Sequence, residues 1–177
     1  EGSVPELRDY FGYCYEDAPS NPLVQLYERW LDALERVREP GRLLDVGCGT
    51  GLFLAVARRR GWRPFGIGDF GAFASEGHRF EAITGWDIIE HSRAPVELLG
   101  AMRRCLAPGG VVGLATPNQR SILDAVAGLL YRASGGRITK PLEKFYIEQH
   151  FLYFTPETLT QALDRAGLAV LDLRREL

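Results

Sequence analysis

Apolar residues recur at three- and four-residue spacing early in the chain, through Leu23, Leu26, Tyr27, Trp30, Leu31, Leu34 and Val37. That period predicts an amphipathic helix with one buried stripe. Asn21-Pro22 marks its start and Glu39-Pro40-Gly41 its stop. The pattern then shortens to Arg42–Val46, an apolar run suited to a buried parallel strand. Gly47, Gly49 and Gly51 follow at alternate positions. Leu52, Phe53, Val56 and Ala57 restore helical spacing over 52–60, with Gly61 as a C-terminal cap. Arg63–Ile67 and Phe80–Trp86 read as further strands. Pro95 opens a helix over 95–106 with Val96, Leu99, Met102 and Leu106 inward; Pro108-Gly109-Gly110 then turns the chain into a strand at 111–116. Ile122, Leu123, Ala125, Val126, Leu129 and Leu130 predict another amphipathic helix. Thr155-Pro156-Glu157 caps a last helix to Ala166, Gly167 ends it, and 168–173 reads as a strand.

A strand that runs through glycines into a helix sets bare backbone N–H groups at the end of a parallel sheet, where nucleotide-like ligands bind. The spacing narrows the ligand. A dinucleotide fold uses Gly-x-Gly-x-x-Gly, but here the third glycine comes one residue early and Leu52 holds the expected place. An NAD-dependent dehydrogenase is therefore the weakest rival. Asp45-Val46-Gly47-Cys48-Gly49-Thr50-Gly51 resembles motif I of the class I S-adenosylmethionine (SAM)-dependent methyltransferases. The "LAPGGVVGLATPN" run and the "WDIIEH…TPN…EQHFLYFTPETL" pattern resemble the ubiquinone-type O-methyltransferase branch.

The resemblance implies an α/β fold, Rossmann-like and doubly wound, with a mostly parallel sheet flanked by helices and an N-terminal helical cap. It implies SAM as cofactor and S-adenosylhomocysteine as product. Asp45, Gly47, Cys48, Gly49 and Gly51 carry over from motif I as cofactor-binding residues, with Cys48 a small filler rather than a catalytic thiol. Asp69 and Phe70 match the family's acidic-apolar pair beside the adenine, and Trp86 and Asp87 its next contacts. Tyr10-Phe11 resembles a segment that closes over the cofactor, with core packing as the other reading. Asp87-Ile88-Ile89-Glu90-His91 resembles a divalent-ion motif of catechol and small-RNA methyltransferases, and His150 the later histidine of the RNA enzymes. Two carboxylates and two imidazoles, Asp87, Glu90, His91 and His150, suit Mg²⁺, Mn²⁺ or Zn²⁺. The alternatives are a base or substrate-binding role for His91 or His150, and a structural one. The implied reaction moves the methyl group to an oxygen of a small metabolite: a phenol or catechol, a sugar or a natural-product hydroxyl. Tyr13, Tyr15, Tyr131, Phe145, Tyr146 and Phe151 are candidate acceptor walls, with core packing as the other reading; the basic insert at 132–144 reads first as a solvated loop and second as a further wall. A metal-assisted RNA-end 2′-O-methyltransferase and a non-catalytic SAM-binding partner protein are the alternatives.

The order of elements fails at one place. A helix and a third strand should follow Arg63–Ile67, and such a crossover takes at least about 10–12 residues. Ile67 instead meets Gly68-Asp69-Phe70, a segment the family places after its third strand. The expectation is a single domain over 1–177, with a cap at 1–40, a Rossmann-like core at 41–177, and a helix-plus-strand segment missing between 67 and 68. Either the fold is shortened there or natural residues are absent from the sequence, and the second reading is preferred. The shortfall removes the family's ribose-binding acid. A final strand is expected to be lacking, and Glu1 in place of Met implies a start upstream.

Bulk properties add limits. At 177 residues, 46% hydrophobic and 25% charged, the chain has enough apolar surface for a real core. A net charge of −2 argues against a general nucleic-acid binder, while the resemblance implies a small-molecule acceptor as partner. Cys14, Cys48 and Cys105 show no paired spacing, which implies reduced thiols in the cytoplasm. No apolar run approaches the roughly 18 residues of a membrane span. His78, in a polar loop, reads as surface. A monomer or homodimer is expected.

Overall fold

The structure is a computed structural model, and it describes residues 19–68, 70, 77–118, 131 and 151–175. Tyr10, Phe11, Cys14, Asp69, His150, the helix expected at 122–130 and the insert at 132–144 lie outside the described residues. In chain order these carry helix α1 (Pro22–Glu35), strand β1 (Arg42–Val46), helix α2 (Leu52–Arg59), strands β2 (Arg63–Ile67) and β3 (Phe80–Trp86), a 3₁₀ turn (Ile89–His91), helix α3 (Pro95–Arg104), strand β4 (Leu106–Ala115) and helix α4 (Pro156–Arg165). The sheet order is β2-β1-β3-β4, with β1 parallel to both neighbours. This is the Rossmann-like α/β arrangement that the hydrophobic pattern and the resemblance both imply. No helix among the described residues is long and apolar enough to cross a membrane.

The chain divides into two compact units, Glu1–Gly85 with Arg104–Leu114 and Trp86–Arg103 with Ala115–Leu177. In the first, Leu43, Leu44 and Val46 of β1 are buried beside Ala82 and Ile83 of β3. Helix α1 begins where expected, with Asn21 Oδ1 accepting from the Leu23 N–H at 2.9 Å. Its buried stripe is Val24, Leu31 and Leu34. Val37 is exposed, because the helix stops at Glu35 and the stripe stops with it. Tyr27 meets Phe53 edge-on, ring centroids 5.2 Å apart, and joins α1 to α2. Helix α2 ends in the expected glycine cap: Gly61 donates to Arg58 and Trp62 to Ala57, both at 3.1 Å.

Strand β2 is an edge. Among the described residues it pairs with β1 alone, and Phe65 is 47% exposed with Arg63 and Gly66 also open to solvent. Parallel sheets ordinarily bury both faces under crossover helices. The exposure falls where the third strand of a doubly wound sheet would lie.

Three sequence expectations need correction. Helix α3 stops at Arg104, and Leu106 already belongs to β4. The Pro-Gly-Gly segment lies inside that strand rather than before it. It still bends, with Gly109 at φ +68°, but the strand runs on through it to Ala115, and a Cβ on Gly110 would stand 2.9 Å from the Phe80 carbonyl oxygen, so the two backbones are close there. The 168–173 segment forms no strand. Val170, Leu171 and Leu173 are 40%, 69% and 42% exposed, and an extended segment without a ladder partner among the described residues has nothing to hold it.

In the second unit Leu99 and Met102 of α3 are buried. Helix α4 is capped by a reciprocal pair, Thr158 N–H to Thr155 Oγ1 at 3.3 Å and Thr155 N–H to Thr158 Oγ1 at 2.9 Å.

Candidate active site

The first unit supplies the glycine loop. Val46 pairs with Gly85, so β1 and β3 end at the same edge of the sheet. The chain leaves β1 through Gly47, Gly49 and Gly51 at φ +73°, +49° and +83°, a region that a Cβ disfavours. The Gly47 and Cys48 N–H groups donate to the Ile67 carbonyl at 2.7 and 3.3 Å, so the end of β2 pins the loop. Gly51 N–H closes a turn on the Cys48 carbonyl at 2.8 Å. Gly51 is the N-cap of α2 and provides no side-chain cap. Among the described residues, a Cβ on Gly49 would meet nothing within 4 Å, so none of them fills the space over the loop. With the Gly47, Cys48 and Gly51 N–H groups bonded within the protein, what the loop offers an amino-acid-bearing cofactor is close approach to bare backbone and to the N-terminus of α2.

Asp45 sits one pairing step before the loop, between Gly66 of β2 and Thr84 of β3. It is 2% exposed, and Thr84 Oγ1 donates to its Oδ1 at 2.7 Å. Burial lifts its carboxyl to about 7, and the Thr84 bond pulls against that rise. The Cys48 thiol is pushed up by burial and then by Asp45, which suits a neutral filler and not a nucleophile. Phe70 is buried.

The sequence reading missed Thr84 and Gly66. Thr84 is a polar residue inside the otherwise apolar run 82–86 of β3, and that contrast was the available signal. Gly66, a glycine inside a strand, signals close approach: a Cβ there would lie 2.6 Å from both Cys48 Sγ and Leu54 Cδ1.

The second unit carries the acid-rich strand end. Asp87 has φ +53°, the one left-handed non-glycine among the described residues. Asp tolerates that conformation better than most side chains, and such outliers gather at functional sites. Its N–H donates to the Ala115 carbonyl at 3.0 Å. Its carboxyl, although exposed, is raised by crowding from neighbouring atoms, with His91 pulling it back.

Glu90 is 1% exposed and ties three distant segments together. Its Oε2 accepts from Thr116 Oγ1 at 2.9 Å, and its backbone oxygen accepts from the Phe151 and Leu152 N–H groups at 2.9 and 3.2 Å. Its Oε1 is buried with no hydrogen-bond partner among the described residues. Burial raises its carboxyl above the ordinary range, the largest of several effects. His91 is half-buried. Among the described residues no three His, Cys, Asp or Glu side chains form a group able to hold a metal ion, so Asp87, Glu90 and His91 do not make such a site by themselves.

The family described as the methyltransferase domain matches residues 23–173. The chain belongs to the SAM-dependent methyltransferases. Among its relatives, the ubiquinone biosynthesis O-methyltransferase of Dinoroseobacter shibae is 27% identical over 158 residues, covering 74% of this chain and 61% of that protein. The tRNA U34 carboxymethyltransferase of Methylococcus capsulatus is 30% identical over 158 residues, covering 71% and 44%. The chain thus spans under two thirds of the length of either relative. A SAM-dependent methyltransferase from Archaeoglobus fulgidus has the same fold, with a TM-score of 0.64 at 16% identity over 94% of this chain and 74% of that one.

Proposed function

We propose that this chain moves the methyl group of SAM to an oxygen of a small metabolite, a phenol or catechol, a sugar or a natural-product hydroxyl, and releases S-adenosylhomocysteine. The observation that carries the reading is the left-handed glycine loop after β1, open above Gly49 among the described residues and backed by the buried carboxyl of Asp45. When bound, SAM supplies a methyl sulfonium for in-line displacement, so much of the protein's contribution is positioning. Gly47, Cys48, Gly49 and Gly51 hold the amino-acid end, and Asp45 sets negative charge near a cofactor that carries an ammonium and a sulfonium. Trp86 and Asp87 extend the contacts, with Asp69, Phe70, Tyr10 and Phe11 as further cofactor residues by their match to the family. His91 takes the acceptor's proton, with His150 the other candidate base.

An ion held by Asp87, Glu90, His91 and His150 is the weaker account, because Thr116 already occupies one Glu90 oxygen. The deciding experiment measures methyl transfer from radiolabelled SAM to catechols, sugars and a short RNA, with chelator and with Mg²⁺ restored. Transfer to a small hydroxyl that survives chelator is expected. Loss of transfer with chelator assigns the four residues to a metal, and no transfer to any oxygen acceptor overturns the reading. The tRNA-modifying relative favours RNA as the second possibility, against which the net charge of −2 stands. Strong, salt-dependent RNA binding would establish it.

The missing crossover after Ile67 belongs to the same proposal. It is supported by the edge of β2, open among the described residues, and by the extent of the match to the Dinoroseobacter protein. That match runs over 158 positions but takes in 74% of 177 residues, about 131, leaving about 27 without a counterpart here. About 27 residues is room for a helix and a strand.

A further inference from the structure

We infer that Thr84 is a positioning residue for the cofactor half of the site: its hydroxyl orients the Asp45 carboxylate and holds it in the ionised form that a cationic cofactor needs. The inference rests on the SAM-binding reading above. Thr84 is fully buried, on the strand paired with β1, and directly opposite Asp45 in register. Its Oγ1 has one proton. The Asp45 Oδ1 at 2.7 Å is a far better acceptor than the Leu44 carbonyl at 3.4 Å, so the proton goes to the carboxylate. On the other side β2 offers Gly66, which has no side chain. Among the described residues the titratable group that faces Asp45 is the Cys48 thiol, and no cation does so. The hydroxyl is therefore the contact opposing the cost of burying the charge, and a hydrogen bond to an ionised group is of the stronger kind.

The test is calorimetric titration of S-adenosylhomocysteine, whose ammonium supplies the positive charge, from pH 6 to 8.5. The proteins are the wild type, Thr84→Ser, Thr84→Val, Asp45→Asn and Thr84→Val combined with Asp45→Asn. Wild-type affinity should tighten as pH rises through about 7, where Asp45 ionises. Thr84→Val should weaken binding about tenfold at neutral pH and move the tightening to higher pH. Thr84→Ser should restore both. Asp45→Asn should bind weakly with no such pH dependence, and adding Thr84→Val to it should change nothing further.

Thr84→Val with the wild type's affinity and pH profile overturns the inference. So does a Thr84→Val loss that persists undiminished in the Asp45→Asn background, since the hydroxyl would then act through packing. Thermal unfolding of each variant confirms that the titrated protein is folded. Failure of the wild type to bind S-adenosylhomocysteine at any pH overturns the SAM-binding reading itself, and so is distinguishable from a failure specific to Thr84.

Discussion

Gly66→Ala probes the join between the edge strand and the glycine loop. The backbone at Gly66 needs no left-handed conformation, so the whole effect is steric. The added methyl would lie 2.6 Å from Cys48 Sγ, 2.6 Å from Leu54 Cδ1 and 2.9 Å from Cys48 Cβ, where carbon contacts are optimal near 3.5–4.0 Å. Leu54 can rotate its methyl away. Cys48 has less freedom, because its own N–H and that of Gly47 are bonded to the Ile67 carbonyl on the same strand as the new methyl.

Overpacking of this kind costs about 1–3 kcal/mol, and with one neighbour pinned we expect about 2. For a chain of this size that lowers Tm by about 4–8 °C. The loop must shift to relieve the clash, so affinity for S-adenosylhomocysteine should fall about tenfold, or about 1.4 kcal/mol. Thermal unfolding and calorimetric titration read the two effects. Cys48→Ala in the same background removes Sγ and leaves Cβ, so it should recover part of each loss. A Gly66→Ala protein with the wild type's Tm and affinity would refute the claim that β2 positions the loop.

Asp45→Asn should flatten a pH dependence of stability. The folded carboxyl titrates near 7 against an ordinary 3.8, so its contribution is fully present below about 4 and lost as pH rises toward 7. Chemical unfolding across that range should show the wild type losing stability and the variant not; parallel profiles would sink the assignment. Glu90→Ala should cost about 2–3 kcal/mol, since it leaves Thr116 without its acceptor and empties a buried side-chain position. Glu90→Gln keeps an oxygen for Thr116 and should cost about 1 kcal/mol or less, and urea midpoints for the pair should separate. Asp87→Gly should raise stability by up to about 1 kcal/mol by relieving a left-handed φ, while Asp87→Val lowers it. Equal losses from both would show that the strain is not there.

The elements with strong local signals were legible in the sequence. Asn21-Pro22, Thr155-Pro156 and the glycines at 61 and 167 begin or end helices where expected, because capping depends on a few neighbouring atoms. The glycine loop and Asp45 were legible for the same reason. Features that depend on a distant partner were not. The 168–173 segment has strand-like residues, but a strand exists only with a ladder beside it. The Pro-Gly-Gly segment looked like a free turn, yet Phe80 lies against it and keeps it in the sheet. Glu90 looked like a ligand among ligands, and nothing local announced that Thr116 and Phe151 would close on it from 26 and 61 residues away.

The places where the chain breaks local rules coincide with the places the family resemblance marks. Asp45 puts a carboxyl in a buried strand, Asp87 carries a Cβ in a left-handed conformation, and Glu90 buries an oxygen with no partner among the described residues. The helix ends away from them obey capping rules closely. Natural sequences accept such local conflict mainly where function requires it. Asp45 is the sharpest case, because its burial opposes folding at the pH where its charge is needed. A cation bound beside it would offset that cost, since a ligand that binds only the folded chain stabilises it in proportion to its affinity. The same buried acid that weakens the free protein should therefore make the cofactor-bound protein gain more in Tm above pH 7 than at pH 6, and a gain indifferent to pH would separate Asp45 from cofactor recognition.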